Sequence, residues 1–252
     1  MKIRNILITG ASSGIGEALA IYYAKSGAKN LFLCGRNQDR LKNVAKKCRA
    51  LGSKVEEKVL DVTDRQAMEN WIEKADQTAP LELVFANAGV STGFETPENI
   101  YATFETNIFG VLNTVMPALE IFRYRRDRYK RIIAITASIA GYHGLAACPS
   151  YSATKACVKA YGEALRASFQ KEGIQINVIC PGFVRSRITD KNTCPMPFLM
   201  EADKAAAIIA RGIEKNTGLI AFPLLMRFGA YLLSVLPNCI SNFIYAHLPH
   251  KV

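Results

Sequence analysis

Short apolar runs alternate with helical stripes along almost the whole chain, and this alternation leaves few folds open. Residues 3–9, 30–34, 54–60, 81–86, 132–136 and 174–179 read as strands, most of them rich in Ile, Leu, Val and Phe. Helices fall between them. Ile15, Ala18, Leu19, Tyr22 and Tyr23 recur at i, i+3, i+4, i+7 and i+8, the spacing of an amphipathic face. Further helices are expected over residues 39–50, 67–75 around Trp71, 97–123 and 151–170, and a last strand over 219–222. Strands and helices alternating at this spacing are βαβ units, which need a mainly parallel sheet covered on both faces. No internal repeat, low-complexity tract or linker breaks the pattern. The expectation is an α/β fold, a doubly wound parallel sheet with helices on both faces, and residues 1–252 as a single domain with helical additions at its C-terminal end.

A chain of 252 residues with 50% hydrophobic content can bury a large core, as one big α/β domain or two small ones. Its seven cysteines form no Cys-x-x-Cys pair and no zinc-type cluster with the three histidines, so neither a metal site nor disulfides are expected. The first apolar run is too short, and too soon followed by glycines, for a signal peptide, so the expected location is cytoplasmic. The formal net charge of +11 is most concentrated at residues 123–131. Aromatics interleaved with basic residues can bind nucleic acid. Nothing else supports that partner, and cations suit a helix end, so a solvated turn is the favoured reading. Attraction to anionic membranes or acidic ligands stays open as the minority reading.

The first strand-to-helix turn reads Thr9-Gly10-Ala11-Ser12-Ser13-Gly14-Ile15-Gly16. Its glycines do not have the Gly-x-Gly-x-x-Gly spacing of the common dinucleotide fingerprint. The physics is the same: glycine lets the backbone turn tightly, and a helix N-terminus offers free N–H groups to a pyrophosphate. Further on, the strand around 132–136 runs into Ser138, a Gly/Pro-containing loop, and a helix whose first turns hold Tyr151 and Lys155. Four residues apart on a helix, those side chains point the same way. An ammonium beside a phenol favours phenolate, and moving a tyrosine pKa from about 10 towards 7 takes about 4 kcal/mol. Alone, Tyr-x-x-x-Lys could be a chance pair; its context is what gives it weight.

Thr9-Gly-x-x-x-Gly-x-Gly16, Asn87-Ala88-Gly89, Ser138, Tyr151-x-x-x-Lys155 and Pro181-Gly182 stand in the order and spacing of the short-chain dehydrogenase/reductase family, and the chain resembles its short, single-domain branch over roughly residues 1–190. The resemblance implies a Rossmann fold, a nicotinamide cofactor, and hydride transfer between that cofactor and a small-molecule alcohol or carbonyl. Carried over, Tyr151 would be the general acid/base, Lys155 would lower its pKa and bond the nicotinamide ribose, and Ser138 would donate to the substrate oxygen where negative charge grows. Asn107 matches the family's fourth catalytic residue, reached by local loosening of the long helix; a solvent-facing helix asparagine is its plain alternative. Gly10, Ser12, Ser13, Gly14, Ile15 and Gly16 would cradle the pyrophosphate. Asn87, Ala88 and Gly89 would line the adenine-side ribose, and Asp61 with Val62 the adenine. Asp61 could also be only a helix cap, although Asp64 is better placed for that. Pro181, Gly182, Val184 and Ser186 would lie against the nicotinamide carboxamide. Two departures from the family pattern are mild: Ala86 stands where asparagine is common, and Ser186 where threonine is.

Binding of the unphosphorylated cofactor favours an acid at the end of the second strand. Here the strand ends Leu33-Cys34-Gly35-Arg36-Asn37, with glycine in the acid's place and an arginine next. A guanidinium suits a phosphate in charge and geometry, so NADP(H) is favoured over NAD(H). Arg36 could also be a surface residue opening the basic helix that carries Arg40, Lys42, Lys46 and Lys47.

Residues 183–217 read as a mobile lid over the substrate, with 195–200 its apolar face. From 223 to 250 the chain has one formal charge, Arg227, and Leu224, Leu225, Phe228, Tyr231, Leu232 and Val235 make a wide stripe that Pro237 stops. The stripe is too short to span a bilayer. A homo-oligomer (dimer or tetramer) is expected, and the stripe is read first as pocket wall or subunit interface and second as a helix on a membrane surface. The leading expectation is NADPH-dependent interconversion of a carbonyl and an alcohol on a fairly apolar substrate. A catalytically idle NADPH-binding regulator and a membrane-surface protein built on the same fold are the alternatives.

Overall fold

The computed structural model describes residues 3–92, 94–125, 129–191, 195–237, 239, 240 and 244. A 7-stranded, wholly parallel sheet runs in the order β3-β2-β1-β4-β5-β6-β7. The strands are β1 Asn5–Thr9, β2 Asn30–Gly35, β3 Lys54–Val59, β4 Leu83–Ala86, β5 Ile132–Thr136, β6 Gln175–Pro181 and β7 Leu219–Phe222. β1, β4 and β5 are buried at every residue, as strands with helices on both faces must be, and this is why they read as unbroken apolar runs.

Side chains alternate across each strand and feed two cores. Ile6, Ile8, Leu31, Leu33, Leu83 and Phe85 pack under α1 (Gly14–Lys25), α2 (Gln38–Ala50) and α7 (Ala202–Glu214). Leu7, Phe32, Val84, Ile133 and Ile135 pack on the other face, under α3 (Arg65–Thr78), α5 (Gly110–Tyr124) and α6 (Pro149–Phe169). The strand order reverses at β1, between β2 and β4. In such sheets ligands bind outside the carboxyl ends of the strands at that switch point.

Three local differences from the sequence reading bear on the site. The helix expected over 97–123 is α4 (Pro97–Phe104) and α5 joined by a π-helical turn, Glu105–Phe109, in which the Gly110 N–H reaches back to the Glu105 carbonyl. The sixth strand runs on to Pro181, so the Pro-Gly step leaves the sheet directly into the region above it. Within the expected lid, α7 buries Ala205, Ala206, Ile209, Ala210 and Ile213 in the core, while residues 192–194 lie outside the described residues. α7 is therefore part of the core and not of a lid. Of the basic run, 126–128 lie outside the described residues, as does most of the C-terminal extension beyond 240. α8 (Leu224–Val235) ends before Pro237, as the proline predicts.

Candidate active site

The site begins where β1 ends. The Thr9 hydroxyl donates to the Phe85 carbonyl at 3.1 Å and accepts the N–H groups of Asn87 and Ala88 at 3.0 and 3.1 Å. Asn87 Nδ2 returns a bond to the Thr9 carbonyl at 3.0 Å. One hydroxyl thus ties the turn after β1 to the loop after β4, a role for Thr9 that the motif does not announce.

Gly10 and Gly14 adopt φ of 65° and 57°, the left-handed region where a side chain is strained. Gly16 is needed for space: a Cβ there would stand 2.3 Å from the Gly10 carbonyl oxygen. Ser13 opens α1 without a side-chain cap, so the first N–H groups of that helix stay free to meet an anion. This uncapped N-terminus, framed by glycines, fits a pyrophosphate.

A cleft of about 550 Å³ runs from this turn across the carboxyl ends of the strands. It gathers Gly10, Ser12, Ser13, Gly14, Ile15, Arg36, Asp61, Val62, Asn87, Ala88, Gly89, Ser138, Tyr151, Lys155, Pro181, Gly182, Val184 and Ser186. Gly16 and Asn107 are the two sequence-predicted site residues outside this lining. Gly16 is buried beneath it, and Asn107 lies behind it. Arg40, Thr136, Arg187 and Thr189 also line the cleft and were missed, because no short motif carries them.

At one end Arg36 Nη1 stands 3.5 Å from Asp61 Oδ2, with both side chains well exposed. Asp61 also accepts from the N–H and hydroxyl of Thr63 at 3.1 and 3.0 Å. Asp64, not Asp61, caps α3, accepting from the Ala67 N–H at 3.0 Å. An exposed pair of this kind is worth about 0–1 kcal/mol, so Arg36 can exchange its carboxylate for a phosphate at little cost.

At the other end Ser138 closes β5, and its Oγ lies 3.4 Å from the Pro181 carbonyl. Tyr151 and Lys155 rise from the first turns of α6, whose start is held by Glu95: its carboxylate accepts the Ser150 hydroxyl and N–H at 2.8 and 3.1 Å. Lys155 is 3% exposed and donates from Nζ to the Thr136 carbonyl at 2.9 Å. Asn107 is fully buried within the π-helical turn, so it is no solvent-facing helix residue. Its Nδ2 donates to the Val90 carbonyl at 3.0 Å and to Thr154 Oγ1 at 3.1 Å, and its Oδ1 accepts the Val90 N–H at 2.8 Å. A Cβ on Gly89 would sit 3.2 Å from Asn107 Oδ1 and 3.3 Å from Lys155 Nζ, which leaves that junction tight for any side chain.

The electrostatics correct one expectation. Burial pushes the Tyr151 phenol up to about 12, opposed in part by its hydrogen bond with Ser138. Burial also pulls Lys155 down to about 8. The ammonium lies 5.7 Å from the centre of the Tyr151 ring and is turned to the Thr136 carbonyl, so burial and not the ammonium dominates the phenol's pKa in this arrangement. Desolvation outweighs the pairing that the sequence spacing suggested.

A family model described as short chain dehydrogenase matches residues 4–195. An uncharacterized oxidoreductase of Myxococcus xanthus is 35% identical over 246 residues, covering 94% of this chain and 94% of that protein. An uncharacterized oxidoreductase of Mycobacterium tuberculosis is 32% identical over 227 residues, 87% of this chain and 88% of its own length. Among solved structures, a short chain dehydrogenase/reductase from Burkholderia phymatum in complex with NAD has a TM-score of 0.83 at 22% identity, covering 92% of this chain and 94% of that one. A short-chain dehydrogenase from Sphingobium yanoikuyae in complex with NADPH has a TM-score of 0.78 at 24% identity, covering 99% and 98%.

Proposed function

The chain belongs to the short-chain dehydrogenase/reductase family of oxidoreductases, and from that premise we propose that it interconverts a carbonyl and an alcohol on a fairly apolar small molecule, with NADP(H) as cofactor. The observation that carries this is the convergence of Ser138, Tyr151 and Lys155 on one cleft with the glycine turn and the free N-terminus of α1. The complete set counts against an idle cofactor sensor. When bound, the nicotinamide supplies or accepts the hydride at the carbonyl carbon. In reduction the substrate oxygen accepts from Ser138 Oγ and from the Tyr151 hydroxyl. A phenol near 12 is fully protonated at neutral pH, so Tyr151 holds the proton that the new alkoxide takes. Lys155, charged below about pH 8, steadies the phenolate left behind, and Asn107 fixes the loop that carries Gly89 beside it. Oxidation runs the proton the other way and needs Tyr151 as the phenolate, so it is favoured only at higher pH. Hydrophobic lining from Val90, Val184 and Ile188 supports an apolar substrate. The reading is tested by a panel of carbonyls and alcohols followed through NADPH absorbance; no turnover of any of them would remove it.

A pH dependence follows from Lys155. Its pKa lies below the ordinary lysine value, so its charge is lost as pH rises through about 8, while Tyr151 keeps its proton over the same range. The kcat/KM for carbonyl reduction is expected to be level below that point and to fall about tenfold per unit above it. A profile that stays level to pH about 10 would take the Lys155 charge out of the reductive step.

The cofactor preference rests on Arg36. NADPH is expected to bind more tightly than NADH, and Arg36→Ala to narrow the gap by about 1.5–3 kcal/mol, the worth of a charge-assisted hydrogen bond. Fluorescence titration of both cofactors measures it, and equal dissociation constants in the parent protein would overturn the preference.

A further inference from the structure

α8 is an inverted amphipathic helix. Its core-facing side is narrow, with Met226 and Ala230 packed on the sheet cluster, and none of its residues is buried. Leu224, Leu225, Phe228, Tyr231, Leu232 and Val235 fall at i, i+1, i+4, i+7, i+8 and i+11, one continuous face, and they are between 47% and 73% exposed. Most surface helices turn such a stripe inward. An outward apolar face of this extent marks a docking surface.

Charge identifies what docks. The last carboxylate side chain in the sequence is Glu214, so residues 215–252 contain no Asp or Glu, and the chain as a whole carries +11. The one formal charge on α8 is Arg227, exposed at the flank of the stripe. An isologous contact through this face would bring two copies of α8 together with an arginine at the flank of each and no carboxylate on either helix to pair with it. An anionic lipid surface reverses that sign. It attracts the arginine, takes the Leu and Phe side chains below the headgroups, and suits Tyr231 at the headgroup level. Among the described residues no helix is long and apolar enough to cross a membrane, so α8 would lie in the surface rather than span it. The chain that follows continues the same chemistry, with Phe243, Ile244, Tyr245 and Leu248 and no acid among residues 236–252. We propose that the outward face of α8 seats this protein on an anionic bilayer surface.

The full-length protein is mixed at low ionic strength with vesicles of equimolar phosphatidylcholine and phosphatidylglycerol, or of phosphatidylcholine alone, and sedimented. Apparent affinity for the anionic vesicles should exceed that for the neutral ones by at least about tenfold and should weaken with added salt. Leu225→Glu with Phe228→Glu, both at exposed positions, should lose at least about tenfold of it with an unchanged melting curve and unchanged solution mass. In a second measurement that leaves the apolar face intact, Tyr231→Trp fluorescence should be quenched by brominated acyl chains in the anionic vesicles. A parent protein that stays in the supernatant with both vesicle types, or a Tyr231→Trp protein that is not quenched, overturns the proposal. So does a paired-glutamate variant that still sediments, or one whose solution mass halves while the parent ignores vesicles; the last result would assign the face to a second copy of the chain.

Discussion

Tyr151→Phe is expected to leave the dissociation constant for NADPH within a few-fold of the parent and to lower kcat by about 10²–10⁴. Tyr151 is partly buried at the start of α6, and the glycine turn and the α1 N-terminus lie at a different part of the cleft. Phenylalanine keeps the ring and its place 5.7 Å from the Lys155 ammonium. What it removes is the hydroxyl that bonds Ser138 and carries the proton. KM should change little, since Ser138 still meets the substrate oxygen. Single-turnover rates with NADPH and a carbonyl substrate measure the effect, and activity within a few-fold of the parent would remove Tyr151 from the proton step.

How far this site was legible beforehand differs from residue to residue. The sheet was readable because strands buried on both faces carry few polar side chains, so Asn5–Thr9, Leu83–Ala86 and Ile132–Thr136 stand out as mostly apolar runs. Tyr151 and Lys155 were readable because helix geometry alone puts i and i+4 on one side. Asn107 could be named through the resemblance, but its burial could not: it depends on a π-helical turn in which the Gly110 N–H reaches the Glu105 carbonyl, and no local composition announces that. Thr9 was seen only as the first letter of a motif, since its three hydrogen bonds run to residues more than seventy positions away. The upward shift of Tyr151 was not legible for the same reason. Spacing tells which charge is near, whereas desolvation depends on everything packed around the pair, and here it is the larger effect. The facing of Arg36 and Asp61 belongs to this class as well, joining the ends of two neighbouring strands that are far apart in the chain.

Gly16→Ala is expected to do the converse of Tyr151→Phe: it should weaken NADPH binding by about 5–150-fold and lower the melting temperature, while the catalytic groups stay in place. Gly16 is the third residue of α1 and lines no part of the cleft, so a methyl group there touches no ligand directly. It would instead stand 2.3 Å from the Gly10 carbonyl oxygen and 2.8 Å from Asn87 Nδ2, the atom that ties the Thr9 carbonyl to the β4 loop. One of these neighbours is backbone, so relief must come from moving α1 away from the turn or from breaking the Asn87 bond. Overpacking of this kind costs about 1–3 kcal/mol. Either movement shifts the free N–H groups at the start of α1, and their fixed direction is what holds a pyrophosphate. The loss should therefore appear in the cofactor dissociation constant and in thermal stability together, with kcat at saturating NADPH largely kept. Isothermal titration and thermal melts of Gly16→Ala, run beside Tyr151→Phe, separate the two halves of the cleft. An unchanged NADPH dissociation constant would mean that α1 yields at Gly16 without moving its N-terminus, and the glycine cradle would lose its role as the pyrophosphate site.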